Sequence, residues 1–133
     1  MYFIDTNIFL RHLLQDHPIH SPKATAFLKK VENGEIHVRT NDIVIFEVVF
    51  TLDRSYKKSK KEIQEAFLPL ILLPGIMLPG KRKFKRVFEL YTSLNLPFAD
   101  AYHALLMEQT RLTQIVTFDH EFDRIPGIVR IEP

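Results

Sequence analysis

Apolar residues along the chain follow two different spacings, and these predict short strands separated by helices. Intervals of three and four positions predict helices at about 7–14, 22–33, 42–56, 60–70, 84–94 and 98–105. Short apolar runs predict strands at about 1–4, 36–39, 76–78, 115–117 and 128–131. Because strands alternate with one or two helices, the sequence predicts one α/β domain with a mostly parallel sheet.

Polar residues and prolines at the ends of these segments support the assignment. Ser21-Pro22 predicts a capping serine followed by proline at the first helical position, and Ser59 with Glu62 predicts a capping box. The helical spacing places Tyr56 on the inner stripe of the third helix and Ala66 on that of the fourth.

Composition limits the class of protein. A chain of 133 residues is long enough for one core and too short for two, so we expect a single domain over residues 1–133. The absence of cysteine excludes disulfides and thiolate metal sites. Since we find neither a signal peptide nor an apolar run of membrane-spanning length, we expect a cytoplasmic protein.

Four of the sixteen acidic residues lie where a solvated helix face does not explain them. They are Asp5 after the first apolar run, which predicts a buried strand, Glu47 within the apolar stretch 43–50, Asp100 near a helix start, and Asp119 after the 115–117 strand. In open α/β sheets, ligands bind at the carboxyl ends of the strands. We therefore expect these four side chains to converge.

Each of these acids also has a structural explanation. Asp5 and Asp119 can cap the helices that follow them, and the helix dipole favours Asp100 in a first turn. Glu47 is harder to explain in this way, because a carboxylate among apolar neighbours is costly without a metal or a cationic partner such as Arg11.

Crowded carboxylates resist ionisation unless a cation neutralises them, and a set of oxygen ligands suits Mg²⁺ or Mn²⁺. Such ions lower the pKa of a bound water and shield charge that develops on a phosphodiester. Two basic clusters could hold a phosphate backbone or could be solvated helix faces. They are Lys57, Lys58, Lys60 and Lys61, and Lys81, Arg82, Lys83, Lys85 and Arg86.

Four segments in this order resemble the PIN-domain nucleases, and the chain is most similar to the VapC toxins of toxin–antitoxin pairs. The segments are Ile4-Asp5-Thr6-Asn7-Ile8, the mid-chain Glu47, Phe98-Ala99-Asp100-Ala101, and Thr117-Phe118-Asp119-His120-Glu121-Phe122. The resemblance covers essentially the whole chain and implies a three-layer α/β/α fold with a central, mostly parallel sheet of about five strands.

The resemblance implies an endoribonuclease that depends on Mg²⁺ or Mn²⁺, with Asp5, Glu47, Asp100 and Asp119 as metal-binding catalytic acids. It implies that Thr6, Asn7 and Thr117 support these ligands or contact substrate. His103 lies one turn after Asp100 and could also contact substrate, and Glu121 could ligate the ion through water. Many relatives have Asp where this chain has Glu121. Expected partners are RNA, a small antitoxin and a second copy of the chain in a homodimer, and no membrane is involved.

Three other functions remain open at this point. A PIN nuclease that processes ribosomal or other RNA would have the same acids but no antitoxin gene beside it. A catalytically weak RNA-binding module would bind RNA without turnover. A phosphatase of the haloacid-dehalogenase type also begins with Asp at a strand end, but it needs a second Asp two residues later, where this chain has Asn7.

Overall fold

A computed structural model describes all residues from Met1 to Pro133 and confirms the α/β class. The chain forms two compact units, Met1–Arg82 and Lys83–Pro133. Each unit contains both helices and parallel strands. The single domain over residues 1–133 stays a prediction.

The first unit contains three strands and four helices. They are β1 (Tyr2–Phe3), α1 (Thr6–Leu14), α2 (His20–Glu32), β2 (Val38–Arg39), α3 (Asp42–Arg54), α4 (Lys60–Ile71) and β3 (Ile76–Met77). The strands form a parallel sheet in the order β1-β2-β3, in which Tyr2 pairs with Val38 and Val38 with Ile76. Parallel strands need long crossovers, which the intervening helices supply here.

The core of this unit is apolar and aromatic. The rings of Phe9 on α1 and Phe67 on α4 are both fully buried and meet edge to face at 5.3 Å. Helix α3 contributes a buried stripe, which consists of Val44, Ile45, Val48, Val49 and Leu52. The predicted capping box of Ser59 and Glu62 at the start of α4 is confirmed, and Asn41 caps α3 by accepting a hydrogen bond from Val44 N.

Four local predictions in this unit are wrong. The first strand is not buried, because β1 is an edge strand and both Tyr2 and Phe3 are exposed. Tyr56 lies beyond the end of α3 and is exposed, and Ala66 lies on the outer face of α4. Ser21 is buried inside α2, where its hydroxyl accepts from His17 N instead of capping the helix.

The second unit contains two long helices, a two-stranded sheet and a short 3₁₀ helix. They are α5 (Lys83–Ser93), α6 (Phe98–Thr110), β4 (Gln114–Val116), η1 (His120–Arg124) and β5 (Val129–Ile131). Strands β4 and β5 pair in parallel, with Ile115 opposite Arg130. Helices α5 and α6 share a cluster of buried rings, formed by Phe84, Phe88, Tyr91 and Phe98.

The five strands match the predicted number, and every pairing is parallel. They pair as one group of three and one group of two. No helix of the chain is both long enough and apolar enough to span a membrane.

Candidate metal centre

Three carboxylates of the second unit form a compact cluster. One oxygen each from Asp100, Asp119 and Glu121 lies within 4.8 Å of the other two. Asp100 is in the first turn of α6, Asp119 is the N-cap of η1, and Glu121 is in the first turn of η1. The cluster therefore joins a helix start to the segment that follows strand β4.

Local hydrogen bonds fix the β4–η1 connection. The hydroxyl of Thr117 accepts a hydrogen bond from the backbone N–H of Asp119 at 3.0 Å. The carboxylate of Asp119 in turn accepts from the backbone N–H of Glu121 at 3.1 Å. Each short polar side chain accepts a bond from a backbone N–H two positions later, as is typical of Asx- and ST-type turns. This turn brings the carboxylates of Asp119 and Glu121 close to each other and to Asp100.

The three carboxyl groups perturb one another's ionisation. Burial, together with Asp119 and Glu121, raises the pKa of Asp100 to about 6. The pKa of Asp119 is lowered because the side chain and the backbone N–H of Glu121 donate to it. The pKa of Glu121 is raised, mainly through its hydrogen bond to Asp119. At neutral pH, three ionised carboxylates this close together repel, and a cation would relieve the repulsion.

The cluster fits a divalent metal ion. Atom Oδ2 of Asp100 is buried and has no hydrogen-bond partner, so it is available as a ligand. Magnesium–oxygen distances of about 2.1 Å place opposite ligands about 4.2 Å apart. The three carboxylate oxygens lie within 4.8 Å of one another, a bound that accommodates this separation. The ligand set consists of carboxylate oxygens only, which are the donors that hard divalent cations prefer.

The other two predicted acids lie in the first unit and share one threonine. Asp5 caps α1, and its Oδ1 accepts from Thr6 N at 2.6 Å. The buried hydroxyl of Thr6 donates to Oε2 of Glu47 at 2.9 Å. Thr6 therefore links the carboxylate of Asp5 to that of Glu47. This contact agrees with the prediction that Thr6 supports the metal-binding acids.

The prediction that Glu47 lies among apolar neighbours is wrong. Glu47 is exposed on α3, while its apolar sequence neighbours Val48 and Val49 point into the core. Helical geometry explains the difference, because adjacent residues lie about 100° apart around a helix. The suggested partner Arg11 forms its ion pair with Asp16 instead, at 3.0 Å.

Two of the remaining candidate residues lie on the surface. Asn7 on α1 and His103 on α6 are both exposed, and His103 is not part of the acidic cluster.

Two members of the second basic cluster have internal partners. Lys81 donates to the carbonyl oxygens of Leu73 and Ile76, and Arg86 pairs with two glutamates of its own unit.

The raised pKa of Asp100 predicts that Asp100→Asn stabilises the metal-free protein at neutral pH. The folded protein holds a proton on Asp100 up to pH about 6, whereas the unfolded chain releases it near pH 4. The free energy of unfolding therefore falls between these pH values as ionisation becomes unfavourable in the folded state. Because Asp100 is partly solvated, we expect a gain of only ~1 kcal/mol at pH 7.5, or ~3 °C in Tm.

Thermal unfolding of both proteins in EDTA at pH 7.5 and pH 4 tests this. The difference should become small at pH 4, where Asp100 is protonated in the folded protein and about half protonated in the unfolded chain. A variant that is less stable than the wild type at pH 7.5 would show instead that the helix dipole favours the ionised acid.

Comparison with known families supports the chemistry of the site. The family model of the PIN domain matches residues 2–128. A search of curated proteins finds no match. PIN nucleases typically use divalent metals, which agrees with the cluster of Asp100, Asp119 and Glu121. The match covers both units and all the predicted acids, and the chain therefore belongs to the PIN domain family of nucleases.

Proposed function

We propose that this protein is a metal-dependent endoribonuclease of the VapC type, the toxin of a type II toxin–antitoxin pair. The observation that carries the nuclease chemistry is the cluster of Asp100, Asp119 and Glu121, with its unpartnered carboxylate oxygen. The toxin assignment depends on the sequence resemblance described above. The expected partners are RNA, a small antitoxin and a second copy of the chain.

In this proposal Asp5, Glu47, Asp100 and Asp119 serve one reaction and hold Mg²⁺ or Mn²⁺. The ion would supply an activated water and shield charge on the phosphodiester. The protein contributes positioned carboxylates: Thr117 holds the backbone of Asp119, and Thr6 orients Glu47. Cleavage would leave a 5′-phosphate.

Exposed cations of the first unit support RNA as the substrate. Lys57, Lys58 and Lys61 are exposed between the end of α3 and the first turn of α4. Contacts from lysines to phosphates carry little sequence information and weaken as the salt concentration rises. The lysines are thus suited to bind the RNA backbone, with the choice of cut site set elsewhere.

The proposal is tested by incubating the protein with end-labelled single-stranded RNA in Mn²⁺, in Mg²⁺ and in EDTA. We expect internal cleavage in either metal, none in EDTA, and products with 5′-phosphates. Binding of RNA without turnover in Mn²⁺ would instead identify a binding module. Cleavage that persists undiminished in EDTA would contradict the role of the carboxylates.

A second measurement separates a toxin from an RNA-processing enzyme, the other candidate from the sequence. Induced expression of a toxin should arrest growth, and co-expression of the small protein encoded beside it should restore growth. A processing nuclease would have no such neighbour, and its expression would not be counteracted in this way.

A further inference from the structure

Arg130, in the middle of β5, contacts three side chains at once. Its Nε lies 3.2 Å from Oδ1 of Asp123, its Nη2 lies 3.0 Å from Nδ1 of His120, and its Nη1 lies 2.5 Å from Oε1 of Glu132. The side chain of Arg130 is only 14% exposed, although its partner Asp123 is 53% exposed. Each of the three guanidinium nitrogen atoms of Arg130 thus contacts a different side chain.

Two of these three partners belong to η1, the element that carries the acids. Helix η1 has five residues, of which only Phe122 is buried, and Asp119 is its N-cap. Short 3₁₀ helices have poor hydrogen-bond geometry and little stability of their own. Residues three positions apart eclipse in such a helix, so Arg130 contacts the side formed by His120 and Asp123.

Glu121 is not on the side of η1 that Arg130 contacts. Its carboxylate is therefore free to join Asp100 and Asp119. The orientation of η1 sets where the carboxylates of Asp119 and Glu121 lie, and Arg130 holds η1 from the neighbouring strand. A planar guanidinium that bonds in several directions suits this task better than a single ammonium group.

We propose that Arg130 is a positioning residue for the metal centre: it fixes η1 against β5 so that Asp119 and Glu121 meet Asp100. This inference rests on the proposed function, because it assumes that the three carboxylates bind a divalent ion. Arg130 itself touches neither the ion nor the substrate. It acts through Asp123 and His120.

Arg86 provides a matched control within the same unit. Its guanidinium also joins two carboxylates, those of Glu89 and Glu108, but neither belongs to the acidic cluster. Arg86→Met and Arg130→Met therefore remove the same chemical group from comparable ion-pair networks. Any general effect of losing such a network should appear in both variants.

Mn²⁺ affinity, measured by calorimetry on the folded proteins, is the first test. Removal of a residue that orients metal ligands typically weakens metal binding by about 10–100-fold. We expect about a 10-fold weaker affinity in Arg130→Met and less than about a 2-fold change in Arg86→Met. Asp123→Asn should weaken Mn²⁺ binding through the same contact. The Mn²⁺ affinity of the double variant with Arg130→Met should be only slightly lower than that of either single variant.

Amide hydrogen exchange of the metal-free proteins is the second test, and it does not depend on the proposed function. The N–H of Glu121, which donates to Asp119, should exchange faster in Arg130→Met than in the wild type and should be unchanged in Arg86→Met. If Arg130→Met fails to fold, Asp123→Asn alone provides the same comparison.

The possible outcomes are distinguishable. If the wild type binds no Mn²⁺, the proposed function fails, and the exchange of the Glu121 amide still decides whether Arg130 holds η1. If the wild type binds Mn²⁺ but Arg130→Met and Arg86→Met match it in both affinity and exchange, the role of Arg130 is refuted.

Discussion

Replacing Asp100 with asparagine should reduce metal-dependent cleavage of RNA by at least about 100-fold, because it removes a ligand charge from the centre of the site. Asp100 has the buried, unpartnered oxygen and the raised pKa of the cluster. Asparagine has the same shape but cannot supply a negative oxygen. Asp5→Asn should cause a similar loss while preserving the fold, since asparagine is as good an N-cap for α1 as aspartate.

The initial rate of cleavage of a labelled RNA at saturating Mn²⁺ is the measurement. Glu108→Gln is a suitable control, because Glu108 lies on the same helix but pairs with Arg86 on the surface. The control should cleave within about 2-fold of the wild type, as surface ion pairs contribute little. Full activity in Asp100→Asn would refute the proposed site.

Much of the fold could be predicted because helix ends and apolar spacing are local properties. The predicted α1 differs by one residue from the observed Thr6–Leu14, and Ser59 with Glu62 forms the expected capping box. The errors concern tertiary context. The apolar side chains of Tyr2 and Phe3 do not reveal that β1 is an edge strand, since neighbouring strands are distant in the sequence.

The candidate site was predictable to a different degree in each unit. The turn at Thr117 and Asp119 is local, and its capping residue was predicted from the sequence. The exposure of Glu47 was not predictable, because the other seven residues of the stretch 43–50 are all apolar and hide which side of the helix faces the core. The role that we infer for Arg130 depends on the pairing of β5 with β4, and no local pattern indicates it.

The cluster connects stability with function. Three carboxylates within 4.8 Å of one another oppose folding when they are ionised, and a bound cation would relieve the same repulsion. Substitutions that remove the charge of Asp100 or Glu121, whose pKa values are raised, should therefore stabilise the metal-free protein and weaken metal binding together. This inverse relation distinguishes a metal site from acids that merely cap helices, since loss of a capping acid destabilises the protein and leaves metal binding unchanged.

Glu121→Gln should lower the affinity for Mn²⁺ and the rate of cleavage by about 10-fold or more, because the carboxylate of Glu121 lies with those of Asp100 and Asp119 in the proposed metal centre. The sequence suggested for Glu121 only a supporting role or a contact with substrate, since many relatives have the shorter aspartate here. The turn at Asp119 brings the longer side chain of Glu121 to within 4.8 Å of both other acids. The backbone turn thus compensates for the greater length of the Glu121 side chain.

Glu121→Asp is the matched control, because it keeps the charge and shortens the side chain by one methylene group. We expect its activity to remain within about 5-fold of the wild type, whereas Glu121→Gln retains the length of the side chain but loses the charge. If the two variants lose activity equally, both the charge and the length of the side chain are required at this position. If Glu121→Gln binds Mn²⁺ as tightly as the wild type, the centre consists of Asp100 and Asp119 without Glu121.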